Sequence, residues 1–195
     1  MAETRYDSMS IVEDAPSGPA NPEISAFHMR SLLKSLLPYL VAAAVSVLIV
    51  TSLFRLWKSN LRIPLDFGED AYTTQMLVKN FVEGGNFYVN PSLGAPGQQE
   101  LYDFPLPHWT HFIGWSVLRL FTHDYGVLIN LYYLLSYPLA ALTALYAFRR
   151  FHISPGLAVT GAVLFSFLPF HLLRSETHLF LTSYYVVPLA AMVVV

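Results

Sequence analysis

The chain has 195 residues, 54% of them hydrophobic and only 12% charged, with a net charge of −2 and a mean hydropathy of +0.46. That balance excludes an ordinary soluble domain, whose helices are apolar along one stripe only, and the near-neutral charge argues against a general nucleic-acid role. Cysteine is absent, which removes disulfides, thiolate metal sites and cysteine nucleophiles and leaves Asp, Glu and His as the metal ligands available.

Residues 1–30 are polar and carry Pro16, Gly18, Pro19 and Pro22 among scattered acids. Such a composition buries too little apolar area to offset chain entropy, and it predicts a disordered tail. Residues 31–195 read as a membrane domain. From Leu36 to Phe54 there are 19 residues without a charge, roughly 28 Å of helix, about the thickness of a hydrocarbon core. The run begins late and continues past the small residues Ala42–Ala44, so an uncleaved anchor is expected in place of a signal peptide.

Residues 55–124 form a long loop outside the membrane, with Gly/Pro turns in "EGGN" and "NPSLGAPG". Within it, "AYTTQMLVKNFVEGG" predicts a short helix with Asp70 at its start and Gly84–Gly85 at its stop. Trp109, Phe112, Ile113, Val117, Leu120 and Phe121 fall on one helical stripe, with His111 and Arg119 off it. That stretch makes about 20 Å of helix, too short to cross, and predicts a helix lying in the membrane interface. Further spans are expected at 125–148 and 156–173, and a fourth at 179–195 that is still apolar where the sequence stops, so the chain reads as the N-terminal portion of a longer protein. The expected fold is therefore all-α, with four transmembrane helices and a long extracytoplasmic first loop holding short interfacial helices.

The basic turn "RRFHISP" between the second and third spans is expected in the cytoplasm, with the N-terminus on the same side. The 55–124 loop and "RSETH", Arg174 to His178, then share the opposite face. Arg55, Lys58 and Arg62 sit against this charge rule, but long loops translocate largely regardless of charge.

Two clusters carry the candidate chemistry. Glu69 and Asp70 are adjacent carboxylates beside the lipid boundary. They suit a helix cap with a solvated neighbour, or a general base or cation ligand in a water-filled cleft, since carboxylates there are costly unless hydrated or paired. "HLLRSETHLFL" supplies His171, Arg174, Glu176 and His178 between two apolar runs, more ionizable groups than membrane anchoring needs. A guanidinium with a nearby histidine matches a lipid phosphate at headgroup depth. His108 and His111 could join Asp103 on a metal, although histidines beside a tryptophan serve more often as interfacial filler. No Walker loop, GxGxxG, GxSxG or HExxH occurs.

The order of these features resembles the GT-C superfamily of integral-membrane glycosyltransferases, among them the protein mannosyltransferases and the lipid A aminoarabinose transferases. "FGEDAY" is similar to their acidic motif in the first outside loop, and "LLRSETHLFL" to the Arg-x-Glu segment opening the second. The acidic motif departs from theirs in being Glu-Asp in place of Asp-x-Asp or Asp-Glu. The resemblance implies sugar transfer from a polyprenyl-phosphate donor to an acceptor at the extracytoplasmic face of a bacterial inner membrane. It implies Asp70 or Glu69 as catalytic base, and Arg174, His178, Glu176 and Asp103 as substrate-binding groups. No cofactor is required, and a divalent cation on Asp70 and Glu69 is the candidate that the resemblance allows. The rival readings are a polytopic transporter or lipid flippase, which predicts charges near midspan and broken helices, and a non-catalytic membrane subunit.

Overall fold

The computed structural model describes residues 22–68, 70–84, 86–103 and 109–194. Residues 1–21 of the expected tail, the expected catalytic residue Glu69, and His108 lie outside the described residues. The chain divides into two compact units, Met1–Ser35 and Leu36–Val195. In the first, the described residues are the opening turns of helix α1 (Pro22–Leu53), so residues 22–30 of the expected tail are helical. Ser35 there returns its hydroxyl to Leu32 O at 2.8 Å.

The second unit is helical apart from a hairpin of two-residue strands, β1 (Val89–Asn90) and β2 (Gln99–Glu100), paired antiparallel with Val89 opposite Glu100. The other elements are α2 (Asp70–Gly84), α3 (Trp109–Arg119), α4 (Tyr125–Arg150), α5 (Pro155–Ser166), α6 (Pro169–Arg174), α7 (Leu179–Thr182), a 3-10 turn at Tyr184–Val186 and α8 (Val187–Val194). Among the described residues, three helical stretches are long and apolar enough to cross a membrane: Met29–Leu53, Tyr125–Arg150 and Pro155–Arg174. These cover three of the four spans expected from hydropathy, the fourth being read as incomplete. Leu179–Val194 is apolar but short, and its helix is interrupted where Thr182 and Ser183 return their hydroxyls to Leu179 O and compete with the backbone pattern.

The third span also differs from the single helix expected over 156–173. Leu168 is extended, with ψ 144°, between α5 and α6. The residue before a proline is driven out of the helical region, and Pro169 has no N–H to continue the ladder. In a membrane the carbonyls freed by such a break need partners from the protein itself. Tyr184 donates its hydroxyl to Phe165 O at 2.7 Å, and His171 Nδ1 lies 2.8 Å from Ser166 O. His171 is fully buried, stacked on Tyr137, with Nε2 2.7 Å from Ser136 Oγ. Its place in the fold is thus the repair of a helix break.

Helix α4 is the central post. Asp124 caps it by accepting the Gly126 and Val127 amides at 2.9 and 3.1 Å, satisfying donors that a helix start leaves open. The segment following α1 crosses this end so closely that a Cβ on Gly126 would come within 2.1 Å of Arg62 O. Asn130, read from the sequence as a polar interruption of the span, is wholly buried and holds that segment. Its Nδ2 donates to Leu61 O and Ile63 O, each at 2.8 Å, and its Oδ1 accepts Leu65 N–H at 3.0 Å.

Helix α3 packs on the first turns of α4, where Gly114 leaves room for the Tyr132 ring and His111 Nδ1 lies 2.7 Å from Tyr132 Oη. The single stripe read from the sequence is corrected here. His111, Phe112 and Trp115 are buried, while Trp109, Ile113, Val117, Leu120 and Phe121 are exposed. The helix is apolar on two faces, and of the six stripe residues only Phe112 turns to the buried one.

Candidate functional site

Asp70 and the "HLLRSETHLFL" segment, both singled out in the sequence, come together. Asp70 opens α2, and Ala71 N–H donates to Gly68 O at 2.8 Å to start that helix. His178 ends the turn after α6, its N–H bonded to Arg174 O at 3.1 Å. His178 Nε2 stands 3.8 Å from Asp70 Oδ2. Both line a cleft of about 420 Å³ with Thr73, Thr74, Leu77, Thr177, Phe180 and Leu181. Its lining combines a carboxylate, an imidazole and threonine hydroxyls with leucine and phenylalanine side chains. Phe180 is braced from behind by His111 and Trp115 of α3, with ring centroids 5.0 and 6.2 Å away.

Three further expected site residues among the described ones, Arg174, Asp103 and Glu176, do not line this cleft. Arg174 is exposed, with its guanidinium 5.6 Å from the Phe170 ring centre. Asp103 is exposed in a turn beyond the hairpin. Glu176 is wholly buried: Oε2 accepts Leu65 N–H at 2.9 Å and Asp66 N–H at 3.2 Å, while Oε1 has no hydrogen-bond partner. Burial pushes the Glu176 carboxyl up to about 7, against the two amide bonds that lower it, and the nearby Asp66 charge raises it further.

Asp66 is the acid that sequence reasoning passed over. Its Oδ2 accepts the hydroxyls of Ser175 and of Thr177, the latter at 2.5 Å, and its Oδ1 accepts Gly68 N–H at 3.2 Å. Burial alone would raise its pKa, but those hydroxyl and amide bonds outweigh it and hold the carboxyl below its ordinary value. The signal present in the sequence was Asp-x-Gly, an acid able to bond its own backbone two residues on. What it holds, more than 100 positions away, has no local signature.

Among the described residues no three His, Asp or Glu side chains are grouped as ligands for one metal ion. Of the two carboxylates considered for a cation, Asp70 lines the cleft and Glu69 lies outside the described residues. Comparison with known proteins gives no significant match to a family model, a curated protein or a solved structure.

Proposed function

We propose that the protein is a membrane glycosyltransferase that moves a sugar from a polyprenyl-phosphate donor to an acceptor at the extracytoplasmic face. The observation that carries this reading is the facing of Asp70 and His178, 3.8 Å apart, in a cleft lined by both hydroxyls and apolar side chains. Such a lining suits an amphiphile with a hydroxylated head and a hydrocarbon tail. In the proposed reaction the acceptor hydroxyl loses its proton to the Asp70 carboxylate and forms a bond to the anomeric carbon. The bond from that carbon to the lipid phosphate breaks, and the electron pair leaves with the phosphate. A positioned carboxylate base contributes about 10²- to 10⁴-fold to such a step. The His178 imidazole faces the charge that develops on the leaving phosphate, with Arg174 as the cation of the same segment.

In this reading "RRFHISP" is cytoplasmic, the 55–124 loop is outside, and the exposed apolar face of α3 rests in the bilayer interface. Single cysteines at Ser92 and Ser154 test the orientation: an impermeant reagent applied from outside labels Ser92→Cys and spares Ser154→Cys. Labelling of Ser154→Cys alone inverts the arrangement.

One observation bears on the transporter reading. The third span is broken within an apolar run, and a broken helix is a feature expected of a transport path. The carbonyls at this break are bonded by His171 and Tyr184, however, and Ser136 and His171 are wholly buried. The break is closed by the protein's own side chains, and the enzyme reading is favoured. Incubating membranes carrying the protein with a radiolabelled polyprenyl-phosphate sugar tests the two against each other: a glycosylated product supports transfer, whereas movement of intact donor between leaflets without product supports transport.

A further inference from the structure

Glu176 is a wholly buried carboxylate that receives two backbone N–H groups from a segment 110 and 111 positions away. The bonding is reciprocal. The residues on either side of it, Ser175 and Thr177, give their hydroxyls to Asp66, whose own amide is one of the two bonded to Glu176. Each acid thus turns one oxygen on the other's segment, Oε2 of Glu176 and Oδ2 of Asp66, and four hydrogen bonds cross between them. A fifth bond ties the pair to α2, since Gln75 Nε2 donates to Asp66 O at 2.7 Å. Ser175 holds φ at 47°, a conformation that residues other than glycine rarely adopt and that persists where the surroundings over-determine it.

The two cleft groups stand immediately downstream. Asp70 follows Asp66 by one turn of chain, and His178 follows Glu176 by two residues. Neither Asp66 nor Glu176 lines the cleft. From this arrangement we infer that Glu176 is a positioning residue: with Asp66 it forms a reciprocal clasp that fixes the start of α2 against the 175–178 segment and so sets the Asp70–His178 separation. This inference rests on the reading of that cleft as the transfer site. The carboxyl acts as an acceptor of two amides, a task that needs a carbonyl-type oxygen at Oε2 and no charge. Glutamine therefore substitutes for it and leucine does not.

The chain contains no cysteine, so a labelled pair is easily introduced. Spin labels on cysteines at exposed Tyr72 of α2 and exposed Leu181 of α7 report the separation in the full chain reconstituted in nanodiscs. The clasp predicts one narrow distance distribution in the parent and in Glu176→Gln, and a clearly broadened one in Glu176→Leu at unchanged helix content. Should the leucine variant fail to fold, Ser175→Ala removes a single clasp bond and is expected to give intermediate broadening. An unchanged distribution in Ser175→Ala and in any folded Glu176→Leu overturns the inference, as does broadening in Glu176→Gln equal to that in Glu176→Leu. In the transfer assay, Glu176→Leu is expected to lower kcat by about 10²-fold, the scale of a misplacement of roughly 1 Å, with KM nearly unchanged and Glu176→Gln restoring the rate. If the parent transfers no sugar, the proposed function fails, and the distance measurement still decides the clasp.

Discussion

Asp66 and Asp70 stand four residues apart on one short segment, and their surroundings differ in kind. Asp66 is half-buried, its oxygens filled by Ser175, Thr177 and Gly68. Asp70 keeps 74% of its side chain exposed and meets His178 at the cleft. A carboxylate saturated by the protein's own donors holds backbone in place, whereas one facing solvent beside an imidazole can take a proton or a ligand. Two acids four residues apart thus differ in their surroundings: the fold supplies one with donors and leaves the other largely in solvent at the cleft.

The largest effect is expected from removing the support on which the Asp66 segment hangs. Asn130→Leu leaves the carbonyls of Leu61 and Ile63 without their donor and takes one acceptor from Leu65. At about 1–3 kcal/mol for each buried group left unpaired, the loss of stability should be several kcal/mol, read as a large drop in the unfolding midpoint in detergent. Retention of the parent midpoint breaks the account of how this segment is held. Asp66→Ala comes next, with an expected loss of about 2 kcal/mol as two hydroxyls and an amide lose their acceptor. Asp70→Asn, measured beside it, should shift the midpoint by no more than about 0.5 kcal/mol, since its side chain is largely in solvent. Equal losses in the two variants erase the contrast between the acids.

A further effect depends on pH. The Glu176 carboxyl is raised from 4.5 to about 7 in the folded protein by burial, so between those values the folded state binds more protons than the unfolded one. Its contribution to stability is complete below about pH 4.5 and is lost as pH rises through about 7. Asp66 runs the other way: its lowered pKa contributes stability above 3.8 that is lost as the pH falls. Glu176→Gln should therefore flatten the decline of the unfolding midpoint between pH 4.5 and 7. A decline of the same slope in Glu176→Gln removes Glu176 as its source.

The hydropathic runs at 36–54 and 125–148 were legible because a membrane span needs only length and absence of charge, and helices cover both stretches. Asp70 and His178 were legible because ionizable groups beside an apolar run are few. Their neighbours were hidden for definite reasons. The break at Leu168 sits inside an unbroken apolar run, where hydropathy cannot register a proline's geometric effect. Asp66, Thr73, Thr177 and the use made of Asn130 depend on contacts between segments far apart in sequence, and periodicity reports only one helix at a time. Glu176 was visible as an unusual acid, but its direction, into the protein and away from the cleft, is set by the Leu65 and Asp66 amides.

The most direct test of the division between the acids is sugar transfer by membranes carrying the parent or Asp70→Asn, supplied with a radiolabelled polyprenyl-phosphate sugar. The amide keeps the size and shape of the carboxylate but cannot take the acceptor's proton. The expected result is loss of product in Asp70→Asn with the unfolding midpoint retained. Full transfer by Asp70→Asn with Glu69→Gln also introduced would contradict the assignment of the chemistry to these carboxylates.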